Sequence, residues 1–292
     1  MDQLIFLFAT GLSRGAVFAL FALSLVLIWR AARIINFAQG AQALVAAYVA
    51  FTVTTASGSY WAGLIAALIA GALIGVAVER GVMRLVPAHD HLAGIIVAIG
   101  IVMVLQSLLG ILFGPQYRPM QAPFDDSPLM IGETPLLSPY DIFIVTIAAV
   151  TMAALGLLFR FTSIGLQLRA AAFAPEVSRL LGVRVPSMVT IGWMLSSAVA
   201  SLAAFLLMPT ELGVNPHATD MLLVYGFAVA VIGGLDSPLG ALVAGLTVGV
   251  VITFVSGYIA ATLAPIGLLV LLLGVLLVRP AGIFSMREVR SA

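Results

Sequence analysis

The residues best equipped for chemistry in this chain are amides. Asn36, Gln39 and Gln42 recur at i, i+3 and i+6, so they line one helix face at the entry to an apolar stretch. In a membrane such amides either form a polar strip on a translocation path or bond between helices and hold spans together. Both readings fit. Gln106 and Ser107, in a later apolar stretch, invite the same two readings. His89-Asp90-His91 offers two imidazoles that do not share a helix face, with no third ligand nearby, so no metal site is expected. His217 stands alone in an external loop and is expected to be solvated. The chain has no cysteine, which excludes disulfides, thiolate metal sites and a cysteine nucleophile. All 13 basic residues are arginine. A Walker A loop needs a lysine, so this chain has no ATPase site of that kind. Hydrolysis in a bilayer would need clustered nucleophile, base or metal groups, and the few histidines and acids are not so placed. No catalytic residue is assigned.

The elements that position these side chains follow from composition. Of 292 residues, 62% are hydrophobic and 9% charged. A soluble domain carries about 25% charged residues, so the excess apolar surface must face lipid. The net charge of +1 gives no reason to expect a nucleic-acid partner. A helix needs about 20 apolar residues to cross the hydrocarbon. Candidate spans are 4–29, 41–57, 61–78, 92–113, 141–159, 186–208, 221–235, 238–256 and 259–278. The fold class is therefore all-α: a polytopic transmembrane helix bundle of about eight or nine spans, a single transmembrane domain over 1–292. Half-helices are expected near residues 3–14 and 221–240. The first stretch is too long for a signal-peptide core and lacks a basic start, so it is read as retained.

Arginines orient the bundle. Arg30, Arg33, Arg80, Arg84, Arg160, Arg169, Arg179, Arg184, Arg279, Arg287 and Arg290 all fall on one side of the nine-span arrangement. Arg118 falls on the other, with Asp125, Asp126, Glu133, Glu211 and Asp220. The positive-inside rule places the arginine side in the cytoplasm, the N-terminus outside and the C-terminus inside. Arg14 is the exception, inside the first apolar stretch. Either residues 3–12 form a separate interfacial segment and the crossing starts near Gly15, or Arg14 is a buried arginine with a partner and a role.

Two long segments lie outside the membrane. Residues 114–140 carry Pro115, Pro119, Pro123, Pro128, Pro135 and Pro139, too much proline for a continuous helix. Residues 160–185 are basic and cytoplasmic. Within them Pro175 suits a first helical position and Gly182 the position after a helix end, which predicts a short helix over 175–181. Its apolar face is Val177, Leu180 and Leu181. Such a face either docks another protein or lies on the membrane surface. Gly233, Gly234 and Gly240 around Asp236 predict a tight turn between packed helices, or a broken helix beside a path. Arg279-Pro280 reads as a helix stop with a positive anchor.

The stretch Ile164 to Val183 resembles the cytoplasmic loop of the branched-chain amino acid ABC transporter permeases. The resemblance extends to Ile35-Asn36-Phe37-Ala38-Gln39-Gly40, to the run from Val231 to Gly240, and to the run from Leu277 to Phe284. The resemblance covers nearly the whole chain through four ordered motifs, and the chain is most similar to the shorter, H-type subunit. The first motif commonly ends His-Gly in the family, and an acidic pair commonly precedes the loop proline. Here those positions are Gln39-Gly40 and Phe173-Ala174.

The resemblance implies an importer permease that works by alternating access. Its coupling loop would sit in a groove of an ATPase subunit. On this sequence that loop comprises Gly165, Leu168, Arg169, Ala170, Ala171, Pro175, Glu176, Leu181 and Gly182. Implied partners are a second, M-type permease, two ATP-binding subunits and a periplasmic substrate-binding protein touching the loops 114–140 and 209–220. ATP and magnesium would bind on the ATPase subunits, and no cofactor is expected in this chain. The implied location is the bacterial inner membrane, with several passes. The implied substrates are leucine, isoleucine or valine, with urea, short amides or aromatic compounds as family alternatives. A stand-alone secondary transporter is disfavoured because the acids sit at span edges or in loops.

Overall fold

The computed structural model describes residues 2–86, 91–125, 127–131, 134–211 and 213–285. His89, Asp90, Asp126, Glu133, Arg287 and Arg290 lie outside the described residues. The helices are α1 (Asp2–Ala32), α2 (Gln39–Ser57), α3 (Tyr60–Gly81), α4 (His91–Phe113), α5 (Pro139–Phe161), α6 (Ser163–Phe173), α7 (Pro175–Leu180), α8 (Val185–Leu207), α9 (Asp220–Gly233), α10 (Pro238–Tyr258) and α11 (Ala264–Val278). A two-residue hairpin, β1 (Met130–Ile131) with β2 (Thr134–Pro135), sits in the proline-rich segment. Eight of the described helices are long and apolar enough to cross a membrane. The ninth expected span, α9, has only 14 residues, about 21 Å of helix. It cannot cross 30 Å of hydrocarbon alone and is a half-helix.

Local chemistry sets the starts. Ser138 and Asp141 form a reciprocal capping box on α5, with Pro139 at the first helical position. The Ser237 hydroxyl accepts from the Gly240 amide at 2.9 Å and Pro238 opens α10. α1 and α8 are buried along most of their length, whereas α3, α4, α5 and α11 keep broad exposed apolar faces. The first two are the axis of the bundle and the others its lipid-facing shell.

Small residues hold the axis together. Gly11 and Gly15 of α1 lie against α10, where Gly245 and Gly249 repeat the same four-residue spacing. A Cβ on Gly11 would lie 2.7 Å from the Val250 Cα, and one on Gly15 2.8 Å from the Gly245 oxygen. The two backbones therefore touch, the close approach that paired small-xxx-small motifs permit in membranes. This contact corrects the interfacial reading of residues 3–12. α1 is unbroken from Asp2 because its first turns, Leu7 and Gly11 included, pack on α10.

The third helix works by the same rule. Its buried stripe is Gly63, Ala67, Gly71, Gly75 and Glu79, while Ile65, Ile69 and Leu73 face outward. Gly71 and Gly75 abut Ser201, Ser197 and Trp193 of α8. At the stripe's end the Glu79 carboxylate is buried. It accepts from Arg84 at 2.8 and 3.0 Å and from the Thr190 hydroxyl at 2.8 Å, tying α3 to α8. Its ion-pair partner is thus Arg84, five residues further along the chain.

Placing a β-branched chain into the α1–α10 seam should part the helices. Gly15→Val or Gly249→Val is expected to lower unfolding stability in detergent by roughly 1–3 kcal/mol, the usual cost of overpacking. Gly81→Val, whose Cβ meets open space, should cost less, and thermal unfolding in detergent compares them.

Candidate functional site

The amide cluster is built where the chain re-enters the bundle. Arg33 takes a left-handed conformation (φ 56°) after α1 ends, and residues 34–38 turn back inward. Asn36 Oδ1 then accepts from the Ala38 amide at 3.1 Å, and its Nδ2 donates to Gln39 Oε1 at 2.6 Å. Gln39 Nε2 donates to Ser196 Oγ at 3.0 Å and Ser24 Oγ at 3.4 Å. Ser196 Oγ donates to the Ser24 carbonyl at 2.6 Å. Ser24 lies eight residues before the end of α1, about 12 Å along its axis. α2 therefore begins well inside the bundle, and Asn36 precedes the helix rather than lying on its face.

Asn36, Gln39 and Gln42 are all essentially inaccessible in the isolated chain. Gln42 Oε1 accepts from Ser197 at 3.0 Å, but its amide nitrogen has no partner among the described residues. The start of α9 meets the same place, since Thr219 Oγ1 donates to the Gly40 carbonyl at 3.0 Å. Next to Asn36 and Phe37 is an apolar cavity of about 410 Å³, walled by Leu223 and Phe227 of α9 and Leu268 and Leu272 of α11.

Two of the four sequence motifs, 231–240 and 277–284, converge at the arginine end, beside the close of α1. Asp236 accepts from Arg33 at 2.8 Å and from the Trp29 indole at 3.2 Å. The Ile283 and Phe284 amides donate to the Ile232 and Gly233 carbonyls at 2.9 and 3.2 Å, satisfying the end of α9 with the segment after α11. Gly233 and Gly240 are in backbone contact, and Gly234 has φ 96°, so the glycine run is a tight turn at the end of a half-helix. Arg279 follows the end of α11 and donates to the Ile283 carbonyl.

The segment 160–185 contains two helices where one was expected. Thr162 caps α6, its hydroxyl accepting from the Gly165 amide at 3.1 Å. The spacing Gly165, Leu168, Ala171 buries one face of α6 against α5 and α8. Gly165 is needed there, because a Cβ would lie 2.6 Å from the Phe159 Cα. Gly182, at φ 86°, ends the second helix, and the Val183 amide returns to the Ser178 carbonyl at 2.9 Å. The nine loop residues therefore divide. Gly165, Leu168 and Ala171 fasten the element, Ala170 is half-buried, and Arg169, Pro175, Glu176, Leu181 and Gly182 stay exposed. Phe173, absent from the expected set, is 89% exposed beside Leu180 (88%) and Leu181 (79%). A cavity of about 460 Å³ separates α6 from the Asp236 corner. Leu168, Arg169, Arg30 and Arg33 are on its wall.

His217 is not alone: its Nδ1 lies 2.9 Å from Asp220 Oδ2, one helical turn away. Asp220 also accepts from Gln106 Nε2 at 2.7 Å. The acid therefore belongs to the inner start of α9, not to a free loop.

Eight described helices of membrane-crossing length around an interior polar seam, with a helical loop at one end, define a polytopic membrane protein. The family model described as the branched-chain amino acid transport system permease component matches residues 7–279. The chain belongs to that family. It is 29% identical to the high-affinity branched-chain amino acid transport system permease protein LivH of Salmonella typhimurium, over 96% of this chain and 94% of that one. It is 27% identical to BraD of Pseudomonas aeruginosa, named as the same kind of permease, over 96% and 95%. A probable LivH of Methanocaldococcus jannaschii is 27% identical over 90% and 87%. No solved structure matches the chain.

Among the amides, Gln39 has two partner helices and Gln42 an unpaired nitrogen. Gln39→Leu is expected to cost about 1–2 kcal/mol, the scale of interhelical hydrogen bonds, and Gln42→Met less. Unfolding of the purified variants in detergent orders them.

Proposed function

We propose that this chain is the shorter, H-type permease subunit of an ATP-binding-cassette importer of branched-chain amino acids. It sits in the bacterial inner membrane with its arginine face and C-terminus in the cytoplasm, as the positive-inside rule requires. A second, M-type permease completes the path. Two ATP-binding subunits, carrying ATP and magnesium, drive it, and a periplasmic binding protein delivers substrate to the opposite face. The relatives' names support the substrate, and the resemblance of the loop supports the ATPase contact.

The observation that carries the reading is the apolar tip of α6 and α7. Phe173, Leu180 and Leu181 stand almost fully exposed on an element whose other face is anchored by Gly165, Leu168 and Ala171. Large apolar side chains held out from a rigid base fit insertion into a partner's pocket. A push on this tip reaches α5 and α8 directly through the buried face. Alternating access then needs only that the helices carrying the buried amides shift relative to α1, with ATP binding and hydrolysis biasing two arrangements.

Replacing Leu181 with Glu, or forcing a β-branched side chain onto the left-handed backbone with Gly182→Val, should abolish substrate uptake in the assembled transporter while leaving the bundle folded. Uptake and ATP hydrolysis are measured together in proteoliposomes. Full uptake by both variants would remove the docking assignment.

A further inference from the structure

Arg14 is an arginine in a continuous membrane helix, and its depth can be read from the α1–α10 seam. Gly15 packs on Gly245 and Leu246, and Gly11 on Val250. Arg14 is therefore level with residues 246–249 of α10, a helix that runs from Pro238 to Tyr258. At 1.5 Å per residue it lies about 12–18 Å from either end. The side chain is nonetheless exposed in the isolated chain. A guanidinium at that depth against lipid is among the least favourable placements in a bilayer.

A second charged group sits at the same depth. α9 runs parallel to α1, with Tyr225 stacked on Phe18 at 4.9 Å and Asp236 bonded to Trp29. Asp220, five residues before Tyr225, is thus level with Ser13 and Arg14. Its side chain is 49% exposed, held by Gln106 of α4 on one side and by His217. Arg14 lies one helical turn before Phe18, the α1 residue stacked on Tyr225, and Glu211 acts on the same tyrosine. Between the two edges the half-helix presents Met221 and Val224, 57% and 49% exposed. A carboxylate on the α4 edge, apolar side chains in the middle and a guanidinium on the α1 edge complement an ammonium, an aliphatic side chain and a carboxylate.

We propose that this open face, α9 flanked by Arg14 and Asp220, is the wall of the translocation path, where a zwitterionic amino acid with an apolar side chain passes. This rests on the permease reading above and assigns residues to it. Arg14 offers a counter-charge to the substrate carboxylate, Asp220 to its ammonium, and Met221 and Val224 receive its side chain. On this assignment Arg14 is spared contact with lipid, and Val224 also borders the apolar cavity shared with α11.

The natural absence of cysteine makes the test direct. Arg14→Cys and Val224→Cys are compared with Ile111→Cys, an outward residue of α4 that is 82% exposed. Each is made in the fully assembled transporter in proteoliposomes and treated with a sulfonated, membrane-impermeant thiol reagent. Arg14→Cys and Val224→Cys are expected to label at least roughly tenfold faster than Ile111→Cys, a difference of about 1.4 kcal/mol in barrier, and transported substrate should slow Val224→Cys. Arg14→Gln should lose uptake that Arg14→Lys retains in part. Labelling as slow as at Ile111→Cys, with ATP-driven uptake intact in the unmodified transporter, overturns the assignment while the permease reading stands. Failure of the unmodified transporter to show ATP-driven uptake overturns that reading instead.

Discussion

Hydrocarbon offers no water to a loose amide, yet two helices of this chain begin inside the bundle. Each start exposes backbone donors that the medium cannot satisfy. The chain answers with side chains. Asn36 Oδ1 takes the Ala38 amide ahead of α2, while Gln39 donates to Ser24 and Ser196 and the Thr219 hydroxyl donates to the Gly40 carbonyl, tying the two starts to each other and to α1 and α8. The starts of α2 and α9 thereby become one junction in the middle of the protein, between the axial helices α1 and α8.

That junction explains the distribution of small residues. A polar seam can be sealed from lipid only if the surrounding backbones come close. The glycines of α1 and α10 and the stripe on α3 allow that approach. The large aliphatic side chains are correspondingly turned outward, as Ile65, Ile69 and Leu73 are on α3. Size and not polarity distinguishes the inner face from the outer one on these helices, which inverts the pattern of a soluble bundle.

Much of this was legible in the sequence. Hydropathy located the eight described crossings, because backbone satisfaction forces helices through lipid, and also marked the half-helix α9 as a ninth. Proline and glycine marked α7 and its end because their backbone limits are local. What escaped was set by contacts between distant residues. The unbroken course of α1 depends on Gly245 and Gly249, far along the chain, although the repeated four-residue glycine spacing was a signal that could have been read. The inward position of Asp220 depends on Gln106 and on the parallel packing of α9 on α1, which no local pattern encodes. Helix α6 escaped because its buried residues, Gly165, Leu168 and Ala171, acquire meaning only against α5 and α8. The amides were identified as polar groups needing partners, but periodicity placed Asn36 on a helix that in fact starts at Gln39.

The loop and the junction are mechanically joined. α6 packs on the ends of α5 and α8, and α8 carries the serines that bond Gln39 and Gln42. A force applied at the arginine face therefore reaches the polar seam through one helix. The most direct test of that account is uptake of radiolabelled leucine into proteoliposomes holding this chain alone, compared with the chain assembled with the second permease, ATP-binding subunits and binding protein proposed above. The account predicts no uptake by the chain alone, with or without an ion gradient, and ATP-dependent uptake by the assembly. Gradient-driven uptake by the chain alone would contradict it.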